Sequence, residues 1–308
     1  MTIVPPEPGE PRRPQGPRDP GDAWVIAESG ERYWGRFGAA GLLAVDEHRG
    51  VLLQHRVAWS HFGGTWGIPG GALHEGESVI SGALRESSEE AGVPGASVRP
   101  LLAHTLDKQV WSYTTIVATV VEPFTPEITD PESVELRWVP KDEVLDLPLH
   151  PGFAAAWPEL VRLMDVRPVI VVDVANLMGS QPDGWWKDRA GAAQRWLERL
   201  ADLAAEGIDA ARFGRPGIRF YPWIVAVLEG AARDAADVDG IHIVRAPGAG
   251  DDAVVAAVAL AGDEVDLEPD VTAVTSDREL QERVRALGVV AEGVSWLREL
   301  IDEVPSRG

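Results

Sequence analysis

Apolar and polar residues alternate along FGAAGLLAVDE and VLLQHRV, which predicts two strands near the start of the ordered chain. A Gly/Trp/Pro-rich loop, HFGGTWGIPGG, follows, and the spacing then turns helical from about Ser78 to Ala91, with Gly92 where a terminating glycine belongs. Strand-like runs recur at SVRPLLAHTL, WSYTTIVATVVE and VELRWV, ahead of a helix around FAAAWPELVRLM. Strands with one embedded helix predict an α+β sandwich over this half.

A break falls near Asp165 to Pro168, and the pattern changes. VIVVDV, WIVAVL, IHIVRA and VTAVTS are short, continuous apolar runs, as strands covered on both faces should be. Helical stretches separate them: AGAAQRWLERLADLAAEG, a helix starting at Asp251, and RELQERVRALG. This order predicts an α/β domain with a mostly parallel sheet. We therefore expect a disordered Pro-rich tail over 1–22, one domain over 23–165 and a second over 166–308.

Composition narrows the chemistry. The 308 residues include no cysteine, which excludes disulfides, thiolate metal sites and cysteine nucleophiles, so carboxylates must supply any metal site. A net charge of -21 argues against a general nucleic-acid surface, since each phosphate contact needs a cation; only a local basic patch would reverse that. No run approaches the ~20 apolar residues of a membrane span, and we expect a soluble, cytoplasmic protein with no membrane partner.

Within the helix from Ser78, the segment RESSEE places Glu86, Glu89 and Glu90 three and four residues apart, where like charges cost about 0.2–0.5 kcal/mol per pair. A solvated helix face is the ordinary fate of such a run. A divalent cation offers another, because hard cations prefer oxygen ligands and keep places for water and phosphate.

The spacing around that run is more specific. Gly71, five residues, Glu77, seven residues, Arg85-Glu86, two residues, Glu89-Glu90, one residue and Gly92-Val93 together resemble the signature of the Nudix hydrolases, with GTWGIPGGAL resembling the family's lead-in. The resemblance implies a Nudix-type α/β/α sandwich, magnesium or manganese as cofactor, and cleavage of a diphosphate linkage in a nucleoside diphosphate joined to another group. It implies Glu86, Glu89 and Glu90 as metal ligands and Arg85 as the residue orienting them, with one of these acids or a glutamate from elsewhere as general base. Glu77 and Gly71 would shape the loop, and backbone N–H groups at Gly70 and Gly71 would approach phosphate. Ser87 departs from the pattern, where the family has an aliphatic residue. With Ile80, Leu84 and Ala91 it forms the stripe expected to face the core, so we expect softened packing there.

Other residues stay open. Glu122, Glu127, Glu132 and Glu135 are candidates for an extra ligand or for plain solvation; Arg56 for a phosphate contact or a surface cation; Trp66 for base stacking or a packing anchor. The sequence also leaves a homodimer open.

In the second half, acids recur where strands end: Asp173 with Asn176, Glu229, Asp251 with Asp252, and Asp277. Ligands of open parallel sheets bind beyond the carboxyl ends of strands, so these groups are expected to converge. VVDVAN, GAGDDAVV and VTSDREL resemble the NYN and PIN-like nuclease domains, which implies a magnesium or manganese site for phosphodiester cleavage at Asp173, Asn176, Asp251, Asp252 and Asp277. Helix capping alone accounts for Asp251, Asp252 and Asp277, but not for Asp173. PDGWWKDRAGAAQRW sets Trp185, Trp186 and Trp196 among Lys187, Arg189 and Arg195, which suits single-stranded RNA or, equally, anchors a helix. Two functional classes follow: a hydrolase with an attached ribonuclease, or a nucleotide-sensing or RNA-binding module without turnover.

Overall fold

The computed structural model describes residues 1–6, 21–60, 62–182, 184–213, 215–261 and 268–304. The chain forms two compact units, one of Met1–Met164 with Ala210–Arg219, the other of Asp165–Asp209 with Phe220–Gly308.

In the first unit, β1 (Thr2–Val4), β2 (Trp24–Ile26) and β3 (Arg32–Trp34) make a small antiparallel sheet. The expected disordered tail is therefore corrected at its start: Thr2, Ile3 and Val4, a triplet with strand propensity, pair with Ile26, Val25 and Trp24. Residues 7–20 of that tail lie outside the described residues. The main sheet contains β4 (Ala39–Asp46), β5 (Gly50–Arg56), β6 (Trp66–Gly67) and β7 (Gly70–Ala72), followed after α1 (Val79–Ala91) by β8 (Val98–Asp107), β9 (Ser112–Val120) and β10 (Ser133–Val139). Its order runs β10, β5, β4, β9, β8, with β6 on β5 and β7 on β4. β4 is buried from Ala39 to Val45, because it is the central strand, parallel to β9. α2 (Pro151–Leu163) buries Phe153, Trp157, Leu160 and Leu163.

α1 begins where the Ser78 hydroxyl accepts the Ser81 N–H at 3.1 Å and ends on left-handed Gly92. Its buried face holds Gly82, Ala83, Glu86, Ser87, Glu90 and Ala91, not the stripe read from the sequence: Ile80 and Leu84 are only half-buried. Small residues let the helix lie close to β4 and β7, and that closeness carries two glutamates inward. Ser87 is fully buried, yet its hydroxyl donates to the Leu84 carbonyl at 3.0 Å, so the expected softening involves no unmet polar group.

The second unit is built on β11 (Val166–Asp173), α3 (Val174–Gly179) and α4 (Arg189–Glu206). The chain then supplies residues 210–219 to the first unit, flanked by β12 (Ile208–Asp209) and β13 (Ile218–Phe220); there the Gly217 carbonyl accepts the Thr105 N–H of β8 at 2.7 Å. β14 (Trp223–Leu228), β15 (His242–Arg245), α5 (Gly250–Ala261), β16 (Glu268–Val274), α6 (Arg278–Arg285), β17 (Val290–Glu292) and α7 (Val294–Asp302) complete it. The sheet order is β15, β14, β11, β16, β17, and all four pairings are parallel.

Alternation within the continuous apolar runs explains its three layers. Ile170, Val172, Ile224, Ala226 and Leu228 pack with Leu177, Leu197, Leu200 and Leu297 on one face. Val169, Val171, Val225 and Val227 pack with Val254, Val258, Leu280 and Val284 on the other. Each such side chain contributes about 1.5–3 kcal/mol by leaving water, which is why β11 from Val169 to Val172 and β14 from Ile224 to Leu228 carry no polar residue. Among the described residues, no helix is long and apolar enough to cross a membrane.

Candidate active site

α1 and β7 put an arginine at the centre of four acceptors. Arg85 donates through Nε to Glu77 Oε1 at 2.9 Å, through one terminal nitrogen to Glu77 Oε2 at 2.9 Å and to the Ala72 carbonyl at 3.0 Å, and through the other to Glu86 Oε1 at 2.5 Å. Its charge lies 3.8 Å from Glu89. Glu77 also accepts the His74 N–H at 2.9 Å, which closes the loop between β7 and α1. The hydrogen bond from Arg85 holds the Glu77 carboxyl below its ordinary range, and the Glu77 contact holds the guanidinium firmly charged.

The three glutamates of RESSEE do not share one environment. Glu86 and Glu90 are 2% and 7% exposed, while Glu89 faces solvent. Burial pushes the Glu90 carboxyl up to about 8, the nearby charge of Glu86 adds to this, and the N–H of Gly70, donated to Glu90 Oε2 at 2.9 Å, opposes it. Gly70 thus gives its N–H to a side chain. Among the described residues no three acids or imidazoles are gathered as a ready metal cage. Arg85 holds Glu86, and the Gly70 N–H holds Glu90.

The donor set nonetheless fits a hard divalent cation. It consists of carboxylate oxygens, with Glu86 and Glu90 buried close enough for the charge of one to raise the other. Gly71 is part of that fit: a Cβ there would meet the Glu86 carboxyl at 2.5 Å. Gly71→Ala is expected to expel Glu86 from its place, destabilise the fold by about 1–3 kcal/mol and abolish the unit's activity, as urea unfolding and turnover assays would read. Unfolding and turnover matching wild type would show that Glu86 has room to yield.

Of the four further glutamates, Glu132 alone bears on this place. It adds to the charge raising Glu90 and pairs with Arg56 at 3.7 Å. Arg56, the expected phosphate contact, also bears on Glu90 and so belongs to the same neighbourhood. Glu122 and Glu127 are exposed, and Glu135 pairs with Arg137 at 2.8 Å. Trp66 is a buried packing anchor, stacked on His55 at 4.8 Å and covered by Arg137 at 4.6 Å, which leaves neither face for a base.

The second unit gathers part of its expected set. Asp173, at the end of central β11, caps α3 through the Asn176 N–H at 3.0 Å and accepts the Thr275 hydroxyl at 3.0 Å. Burial first, then the charges of Asp251 and Glu229, raise its carboxyl above the ordinary range. Glu229 accepts the Gly250 N–H at 2.9 Å, and Asn176 accepts the Ser276 N–H at 2.9 Å. Two further acids of the expected set have other partners. Asp252 is drawn to Arg283 at 2.6 Å, and Asp277 caps α6 through the Leu280 N–H at 3.0 Å. Sequence reasoning missed fully buried Thr275, for which the only signal is a hydroxyl at the end of an apolar strand. The tryptophans also separate: Trp196 is core, Trp186 is exposed, and Trp185 is half-buried with Arg189 at 5.2 Å.

The NUDIX domain family model matches residues 35–160. A Mycobacterium tuberculosis protein named "Putative 8-oxo-dGTP diphosphatase 3" is 51% identical over 150 residues, which span 46% of this chain and 69% of that relative. The chain belongs to the Nudix family. A Bifidobacterium longum protein named as a nucleoside triphosphate pyrophosphatase/Nudix hydrolase fusion is 42% identical over 153 residues, 47% of this chain and 32% of its own length. Among solved structures, the Nudix hydrolase RenU from M. smegmatis is similar at 46% identity, covering 46% of this chain and 94% of that one, with a TM-score of 0.42.

Proposed function

We propose that the first unit hydrolyses a P–O–P linkage in a nucleotide, with nucleoside triphosphates of the 8-oxo-dGTP kind, named for its relatives, as the leading substrate class. The observation that carries this reading is the pair of buried glutamates, Glu86 and Glu90, held under the glycines of β7 beside Arg85. Glu86, Glu89 and Glu90 would hold a magnesium or manganese ion, which when bound offsets phosphate charge and makes a bound water easier to deprotonate. Arg85 keeps Glu86 in register with the Glu77 loop. Glu90 must first lose the proton that burial holds up to about 8, and Glu132, paired with Arg56 at 3.7 Å, is the other acid we assign to proton transfer. A panel of 8-oxo-dGTP, dGTP, ADP-ribose and dinucleoside polyphosphates, with and without magnesium, tests the proposal. Pyrophosphate or nucleotide binding without any product would favour a sensor instead.

A second reading concerns the other unit. Asp173, Glu229 and Asp251 come within electrostatic reach of one another at the carboxyl ends of parallel strands, and this supports phosphodiester cleavage of RNA as a further activity. Asp173→Asn is expected to remove manganese-dependent cleavage of a fluorescent single-stranded RNA, whereas Glu90→Gln leaves it intact. Cleavage persisting in Asp173→Asn would sink this reading.

A further inference from the structure

Tyr113, near the start of β9, lies beside the site described above without a role in it. Its phenol reaches across to β4: a Cβ on Gly41 would stand 2.2 Å from the Tyr113 hydroxyl and 2.9 Å from the Pro69 carbonyl oxygen, so glycine at 41 is what admits the phenol. The ring is steadied by Trp111, 6.2 Å away and itself stacked on Tyr33 at 4.8 Å, with its indole N–H donated to the Trp34 carbonyl at 3.0 Å. The hydroxyl of this half-buried residue has no hydrogen-bond partner among the described residues. The oxygen is not among the sealed, unpartnered polar atoms of the described residues, so it keeps contact with solvent and can donate to an acceptor that displaces water there. Burial, then the charges of Glu90 and Glu86, opposed by Arg56, act on the phenol and keep it protonated. It is therefore a neutral donor beside two buried acids and an arginine.

We infer that Tyr113 is a substrate-contacting residue of the first unit, its O–H donating to a non-bridging oxygen of a diphosphate seated beside Glu90. This rests on the hydrolase reading above. It gives the site a hydrogen-bond donor that carries no charge and draws no cation's ligands away.

The test compares the full-length protein with Tyr113→Phe, which deletes only the oxygen. Calorimetry with inorganic pyrophosphate in magnesium buffer is expected to show affinity about 5–20-fold weaker, with kcat/KM on the best nucleotide reduced by a similar factor. The magnesium concentration for half-maximal activity and the thermal midpoint should match wild type. Wild-type pyrophosphate affinity in Tyr113→Phe overturns the inference, and so does a lowered thermal midpoint with unchanged affinity, which marks a structural role. If wild type binds pyrophosphate but turns over no nucleotide, the hydrolase reading falls, while weakened binding in the variant still upholds the contact. A wild type that binds no pyrophosphate overturns the inference and leaves the hydrolase reading to the nucleotide panel.

Discussion

Glu90→Gln is expected to reduce kcat/KM on the preferred nucleotide by about a thousandfold or more, some 4 kcal/mol of transition-state stabilisation, and to make the metal-free protein more stable. Both halves of that result come from one position. Gln has nearly the shape of Glu and retains an oxygen that accepts the Gly70 N–H at 2.9 Å, so the local packing survives. What disappears is a carboxylate that burial and Glu86 hold at about 8, instead of the 4.5 of a free side chain. The charge needed for metal binding and proton transfer is the charge the fold resists. Steady-state kinetics with magnesium and urea unfolding at pH 9 without divalent ions read the two quantities. Full activity in Glu90→Gln would end the hydrolase reading at this site, and a destabilised variant would deny that the charge is strained.

The second expectation concerns pH. In the folded state Glu90 keeps its proton up to about 8, whereas unfolded it releases it near 4.5, so between these values the folded state binds more protons. Stability of the metal-free protein must then fall as pH rises from 4.5 to 8, by at most on the order of 5 kcal/mol, and this loss is absent below 4.5. Asp173 is raised too and adds loss of the same sign in its own window. Glu77 is lowered by Arg85, so its contribution is present above the unfolded value and is lost as pH falls through the folded one, at the acid end. Urea midpoints of wild type and Glu90→Gln across pH 5 to 8 isolate the Glu90 part as the difference between them. Magnesium at pH 8 should raise the wild-type midpoint and leave Glu90→Gln nearly unmoved, since a ligand stabilises only the state that binds it. A flat difference between the two proteins across that range would refute the argument.

The sheet strands and the loop-helix element were legible because each rests on local signals. Alternation marks β4 and β5; Ser78 and Gly92 bracket α1; continuous Val/Ile runs mark β11 and β14. The spaced acids around Arg85 mark the candidate site in the sequence, and the structure brings Glu77, Glu86 and Glu89 to that arginine. Less legible was the rotation of α1 about its axis. Hydrophobicity points to Ile80 and Leu84 as the inner face, but small Gly82, Ala83, Ser87 and Ala91 permit closer approach, and closeness decided the orientation. Glu86 and Glu90 were carried inside by that choice.

Tertiary partners explain the remaining misses. β1 forms because Thr2–Val4 finds β2 beyond a Pro-rich stretch, and α3 and β17 are too short for periodicity to distinguish. Asp252 and Asp277 stand among the acids that collect at strand ends, and the sequence does not show that Arg283 pairs with one and the α6 N-terminus with the other. Thr275 carries only the faint signal of a hydroxyl ending an apolar strand and Tyr113 none, as each acquires its meaning from a neighbour far along the chain, Asp173 and Gly41 respectively.

The return of residues 210–219 to the first unit has a practical side. A fragment ending at Met164 would hold every residue of the glutamate site but lose the Gly217 carbonyl that receives the Thr105 N–H. β8 would then offer raw backbone to any passing strand, and exposed edges of this kind seed self-association. Catalytic sufficiency and solubility therefore fall at different cut points along this chain.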